Sequence, residues 1–147
     1  ALALAKELGQ RLEADPQAYG KLIEGEAELK RGKPREAMTL FQEARKLADT
    51  WQGRFDLGRA YLELGSFNEA YGDFEVCLKR RGESTAAFLD EVPSLRLFPP
   101  LYYYFGRSQE GLRSPAAAES FKNFLAIKKD GAGDPMVADA QRRLAAR

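Results

Sequence analysis

Apolar and small residues recur at helical spacing along most of this chain, in paired stretches separated by short polar turns. The segment from Trp51 to Gly82 shows the pattern most cleanly. Phe55, Leu57, Gly58 and Tyr61 mark a first helix, Ala70, Phe74 and Cys77 a second, and LELGSFNEA divides them. Small residues (Gly58, Ala70, Cys77) alternate with large ones (Leu57, Tyr61, Phe74), as two helices packed closely side by side require. Gly65 suits the end of the first helix. Ser66, followed three residues later by Glu69, reads as a capping box that starts the second. The pattern predicts one antiparallel helical hairpin.

That hairpin is repeated. Subtracting 33 from Gly58, Ala70, Phe74 and Cys77 gives Gly25, Ala37, Phe41 and Ala44, with the inner spacings of 12, 4 and 3 preserved. Gly106, Ala117, Phe121 and Phe124 repeat the set with spacings of 11, 4 and 3, so the third turn is one residue shorter. A fixed period of this size built from helix-turn-helix units predicts a solenoid.

The remaining elements fit around the repeats. Residues 1–14 form an amphipathic pattern with Leu4, Leu8 and Leu12 on one stripe, read as the last helix of a truncated preceding repeat. Asp15-Pro16 predicts a capped helix start, and repeat 1 occupies 16–48, with helices near 16–31 and 35–48. Thr50 can cap repeat 2, which spans 51–81. From Gly58 to Gly106 is 48 residues (106−58), 15 beyond the period, which predicts an insert at 82–98 with a short helix from Ser84 to about Glu91. Repeat 3 occupies 99–129, with Ser114-Pro115 starting its second helix. Asp134-Pro135 opens a capping helix over 134–147. The chain opens on Ala in mid-pattern, so it reads as a fragment of a larger protein.

Leu57, Gly58, Tyr61, Ala70 and Phe74 resemble the signature of the tetratricopeptide repeat (TPR). Repeat 1 departs from it with Glu24 and Glu28 at the Leu and Tyr places. Repeat 3 has Phe105-Gly106 and then Gln109, and the usual proline after the second helix is missing from all three. The resemblance implies an all-α superhelix of three hairpins, with the inserted helix and the capping helix as additions. The stretch from KRRGEST to FGRSQEGL is also similar to the C-terminal TPR regions of bacterial proteins with a eukaryotic-like serine/threonine kinase part, although no kinase motif occurs here. That likeness implies a docking or regulatory domain of a signalling protein.

Composition narrows the function classes. Lys+Arg 23 against Asp+Glu 22 gives a net charge of +1, which argues against a nucleic-acid partner held by bulk electrostatics. No apolar run is long enough to span a membrane, and no signal peptide is recognisable. The lone Cys77 cannot form an internal disulfide, and a cytoplasmic setting is expected. The absence of His removes the commonest general base and metal ligand, so neither an enzyme nor a cofactor is expected.

The expectation is therefore a non-catalytic scaffold for protein–protein interaction, holding a peptide or partner segment. By the TPR resemblance, the first helix of each hairpin lines a concave groove. That assigns Tyr19, Leu22, Glu26 and Leu29 from repeat 1, Gln52, Phe55, Arg59 and Leu62 from repeat 2, and Pro100, Tyr103, Arg107 and Glu110 from repeat 3. Arg59 and Arg107 would grip a carboxylate. The opposing reading packs Phe55 and Tyr103 against neighbouring helices and pairs the arginines with Glu26, Glu63 or Glu110. The Lys and Asn set of TPR proteins that bind chaperone tails is absent at these positions. Four consecutive aromatics, Tyr102 to Phe105, cover every direction around a helix. They are explained either by the insert, with Phe88, Leu89, Val92, Leu95, Leu97 and Phe98, folding over them or by an exposed aromatic patch. Self-association, or packing on another domain of a longer chain, is the alternative to peptide binding.

Overall fold

In the computed structural model, which describes residues 1–85, 98–128 and 133–146, the chain is all-α. The helices are α1 (Leu2–Gly9), α2 (Ala14–Lys30), α3 (Pro34–Leu47), α4 (Trp51–Glu63), α5 (Phe67–Lys79), α6 (Phe98–Gly111), α7 (Ala117–Ile127) and α8 (Pro135–Ala145), with a 3₁₀ stretch at Arg81–Thr85. The predicted insert helix and its apolar residues 88–97 lie outside the described residues, apart from that 3₁₀ stretch. Contacts run between sequence neighbours, α2 with α3, α4 with α5 and α6 with α7, and between each pair and the next.

Each pair closes on one glycine–phenylalanine contact. A Cβ built on Gly25 would stand 2.3 Å from the Phe41 ring, on Gly58 2.6 Å from Phe74, and on Gly106 2.9 Å from Phe121. All three rings are fully buried. Only a residue without a side chain lets the first helix approach so near the second.

Each core is then completed by the next first helix. Phe41 and Ala44 are covered by Leu57 and Ala60 of α4. Trp51, Phe55, Phe74 and Cys77 are covered by Leu101 and Phe105 of α6, and Tyr103, Phe121 and Phe124 by Ala140 of α8. One three-helix unit is thus built three times, and α8 supplies the closing side of the last.

The turns between paired helices share one hydrogen-bond scheme. Lys33 N–H donates to the Glu28 carbonyl and Gly32 N–H to that of Leu29, both at 3.0 Å. Ser66 and Gly65 donate likewise to Tyr61 and Leu62, and Ser114 and Arg113 to Gln109 and Glu110. This double closure satisfies otherwise orphaned carbonyls and needs a left-handed residue at its centre. Gly32 and Gly65 supply it with φ of +74° each, whereas the third turn places Arg113 there at φ +56°. A side chain in that region costs about 1–2 kcal/mol. Arg113→Gly is accordingly expected to stabilise the third hairpin by about 1 kcal/mol, read as a raised urea midpoint.

The capping box at Ser66 does not form, because Ser66 N–H, which Glu69 would have to bind, already donates to Tyr61 at 2.9 Å. Thr50 does cap, accepting from Gly53 N–H at 3.0 Å. Thr50→Ala should therefore cost about 1 kcal/mol, while Ser66→Ala should leave the urea midpoint nearly unchanged.

Other helix starts also differ from expectation. α2 begins at Ala14, with Asp15 and Pro16 inside its first turn, where a missing proline N–H does no harm. α6 begins at Phe98 on the same principle. α7 begins only at Ala117, so the shortened turn consumes the start of the helix itself, and Ser114 Oγ accepts from Ala116 N–H at 3.3 Å within the turn. Asp134 caps α8 through Met136 N–H at 2.9 Å. α1 ends at Gly9, and of its leucine stripe only Leu8 is partly buried, against α2. Leu4 is 50% and Leu12 95% exposed, while Ala5 packs where α2 offers Gly20.

Candidate functional site

The first helices α2, α4 and α6 lie side by side and α8 follows. They carry the residues the sequence assigned to a groove, and the structure divides those residues in two.

Four of the apolar members are interior, while Tyr19, Leu29 and Pro100 are half-buried. Leu22, Phe55, Leu62 and Tyr103 are buried, with Phe55 only 1% exposed. Phe55 stacks on Trp51 at 5.4 Å and meets Phe74 and Tyr104 edge-on. Tyr103 packs on Phe121 and Phe124, and its hydroxyl donates to Asp139 Oδ2 at 2.7 Å. Burial, with that hydrogen bond second, pushes the Tyr103 hydroxyl up to about 12. A helix flanked by neighbours on two sides buries more than one stripe, so these four positions, one step off the hairpin contact, are filled by the next hairpin and are closed to a ligand.

The same geometry accounts for the four aromatics. Phe105 packs toward the second core, Tyr102 and Tyr103 toward the third and Tyr104 against both, so α6 sets aromatic rings on both flanks.

The polar members join neighbouring helices. Arg59 Nη1 donates to Glu26 Oε2 on α2 at 2.8 Å and to Asp56 Oδ1 at 3.1 Å, and Gln52 Nε2 donates to Asp56 Oδ2 at 2.8 Å. The Arg59 guanidinium also lies over Tyr104 at 5.7 Å and Phe55 at 5.9 Å, positions where the ring faces favour a cation. Asp56 is only 4% exposed. Burial pushes its carboxyl up to about 6, against the opposing pull of Arg59 and the Gln52 amide. Burial alone would lower the Arg59 value, but Asp56, Tyr104 and Glu26 outweigh it and hold the guanidinium above its ordinary value. Of the two, the carboxylate is the member that titrates.

Further along the face, Arg107 reaches Glu63 at 3.7 Å, and Arg143 of α8 pairs with Glu110 and, at 2.5 Å, with Asp139. The ion-pair alternative read from the sequence is thus the arrangement found for Arg59 and Arg107. Asp56 was missed. Its signal was Gln52 and Arg59 standing four residues before and three after it on the same helix.

One cleft of about 350 Å³ opens on this face, lined by Leu29, Lys30, Gly32, Pro34, Arg59, Glu63 and Tyr104. It offers an apolar wall (Leu29, Pro34 and the Tyr104 ring) between two exposed charges of opposite sign, Lys30 and Glu63. Among the described residues no group of His, Cys, Asp and Glu is placed to hold a metal ion, and no helix is long and apolar enough to cross a membrane. Cys77 is fully buried, and burial raises its thiol well above the usual range, which leaves it without the thiolate that reactivity needs. No family model matches this chain, and no curated protein or solved structure matches it either.

Proposed function

We propose that this chain is a TPR-type solenoid and serves as a non-catalytic scaffold that holds a peptide or partner segment on the face of its first helices. The observation that carries the reading is the thrice-built unit, in which a glycine–phenylalanine contact closes each hairpin and the following first helix completes its core. Such an array presents a largely preformed surface, so binding orders little of the scaffold. The binding residues are the cleft residues Leu29, Lys30, Pro34, Arg59, Glu63 and Tyr104. Arg59 acts there as a compensated charge beneath Tyr104. The mixed wall suits a segment with an apolar side chain flanked by charge.

The test uses Lys30, an exposed charge outside the cores and not paired with the next first helix. Peptides selected from a random library against the wild-type chain are expected to lose at least about tenfold in affinity, or about 1.4 kcal/mol, on Lys30→Glu. Urea midpoints of the two chains should agree. Selected peptides that bind both chains equally, or a library without any binder, would count against the cleft.

A second reading, self-association or docking on another domain, is favoured by the exposed Leu2, Leu4 and Leu12 around α1. Concentration-dependent mass in solution, abolished by Leu4→Ser/Leu12→Ser, would support it over the first.

A further inference from the structure

The polar residues of the first-helix face form a regular series. Glu26 of α2 pairs with Arg59 of α4, Glu63 of α4 with Arg107 of α6, and Glu110 of α6 with Arg143 of α8. In every rung the glutamate belongs to the earlier helix and the arginine to the next, and each rung crosses one boundary between successive hairpin units. The first and last rungs join residues 33 apart (59−26 and 143−110), the period of the repeat itself. The middle rung spans 44 (107−63), because the insert intervenes and Glu63 stands near the end of α4.

Their environments are graded. Arg59 is also held by Asp56 and two aromatic rings, and Arg143 by Asp139. At the middle rung the charges stand 3.7 Å apart, and Glu63 is half exposed. Arg59 and Glu63, one from each of the first two rungs, also line the cleft.

We propose that these three rungs are a conformational device that sets the angle between successive hairpins, with the Glu63–Arg107 rung as its yielding point. Contacts in a solenoid run only between neighbouring units, so its pitch is set boundary by boundary, by the shared apolar core and by the polar pairs that cross beside it. Pairs partly open to water weaken as salt rises, since the screening length falls to about 3 Å at 1 M. Weakening the rungs loosens the first-helix face while each glycine–phenylalanine contact keeps its own hairpin closed. The device belongs to the scaffold and does not depend on what the cleft holds.

The experiment measures the span of the array. Spin labels are attached through Glu36→Cys and Asn123→Cys, at exposed positions on α3 and α7, in a Cys77→Ala background that copies Ala44 of the first repeat. The distance distribution by electron–electron double resonance is expected to shift or broaden in about 1 M salt, and to do the same at low salt in Glu63→Gln. The charge exchange Glu63→Arg/Arg107→Glu is expected to restore the original distribution. Glu75→Gln, which removes a pair lying within α5 alone, should change nothing. Distributions that superimpose under high salt and in Glu63→Gln would overturn the proposal. So would a charge exchange that keeps native helicity by circular dichroism but fails to restore the span.

Discussion

Replacing Gly58 by leucine is expected to abolish cooperative folding of the central hairpin, and Gly58→Ala to lower stability by about 1–3 kcal/mol. The argument is steric. A Cβ at this position would lie 2.6, 2.8 and 3.0 Å from three carbons of the Phe74 ring. Phe74 is fully buried and packed against Phe55 and Tyr104, so the ring cannot swing away without disturbing two further aromatics. The helices must separate instead, and separation breaks the core that Leu101 and Phe105 of α6 complete. Because each unit leans on its neighbours, the loss spreads beyond one hairpin. Gly72 is the matched control. It lies in α5, nothing stands within 4 Å of a Cβ there, and Gly72→Ala should gain about 0.5–1 kcal/mol from helix propensity. Urea denaturation followed by circular dichroism separates the two. Equal effects of the two substitutions would remove the close approach as the organising contact.

That contact was legible in the sequence because it tolerates so few residues. Gly25, Gly58 and Gly106, each followed 15 or 16 residues later by a phenylalanine, record a backbone brought against a ring, and no other residue types serve. The turns were legible where Gly32 and Gly65 mark a left-handed residue and illegible where Arg113 takes the same conformation, since arginine does not advertise it. The capping box at Ser66 was misread because the motif counts side chains, whereas the outcome was decided by a backbone N–H already engaged with Tyr61. At the candidate site the difficulty was one of faces. Helical periodicity separates buried from exposed stripes, but it does not separate a stripe facing a groove from one facing the next hairpin. Leu22, Phe55, Leu62 and Tyr103 proved to be the latter. The arginine partners were more readable, because Glu26 precedes Arg59 by one repeat period and so sits at the matching place on the neighbouring first helix.

The largest electrostatic effect is expected at Arg59. Arg59→Met should destabilise the chain by about 3–5 kcal/mol near neutral pH, because it leaves Asp56 buried with only the Gln52 amide beside it and frees Glu26 to repel it. The loss depends on pH in a definite direction. In the wild-type chain the Asp56 carboxyl is raised from 3.8 to about 6, so between these values the folded state holds a proton that the unfolded state has released. Stability from this group therefore falls as pH rises through that window and is lowest above it. Removing Arg59 takes away the cation that favours the carboxylate and moves the folded value higher still, so the variant's decline continues to a higher pH than that of the wild type. The gap between variant and wild type should be widest at about pH 8 and should narrow as Asp56 protonates toward about pH 5. Asp56→Asn in the Arg59→Met background should recover most of the loss at the higher pH, since the uncompensated charge, and not the missing contact, dominates it. Urea midpoints for the three chains at the two pH values make the comparison. A destabilisation by Arg59→Met that is the same at both, and that Asp56→Asn does not relieve, would mean that Arg59 serves the fold through its packing on Phe55 and Tyr104 and that Asp56 does not carry a buried charge.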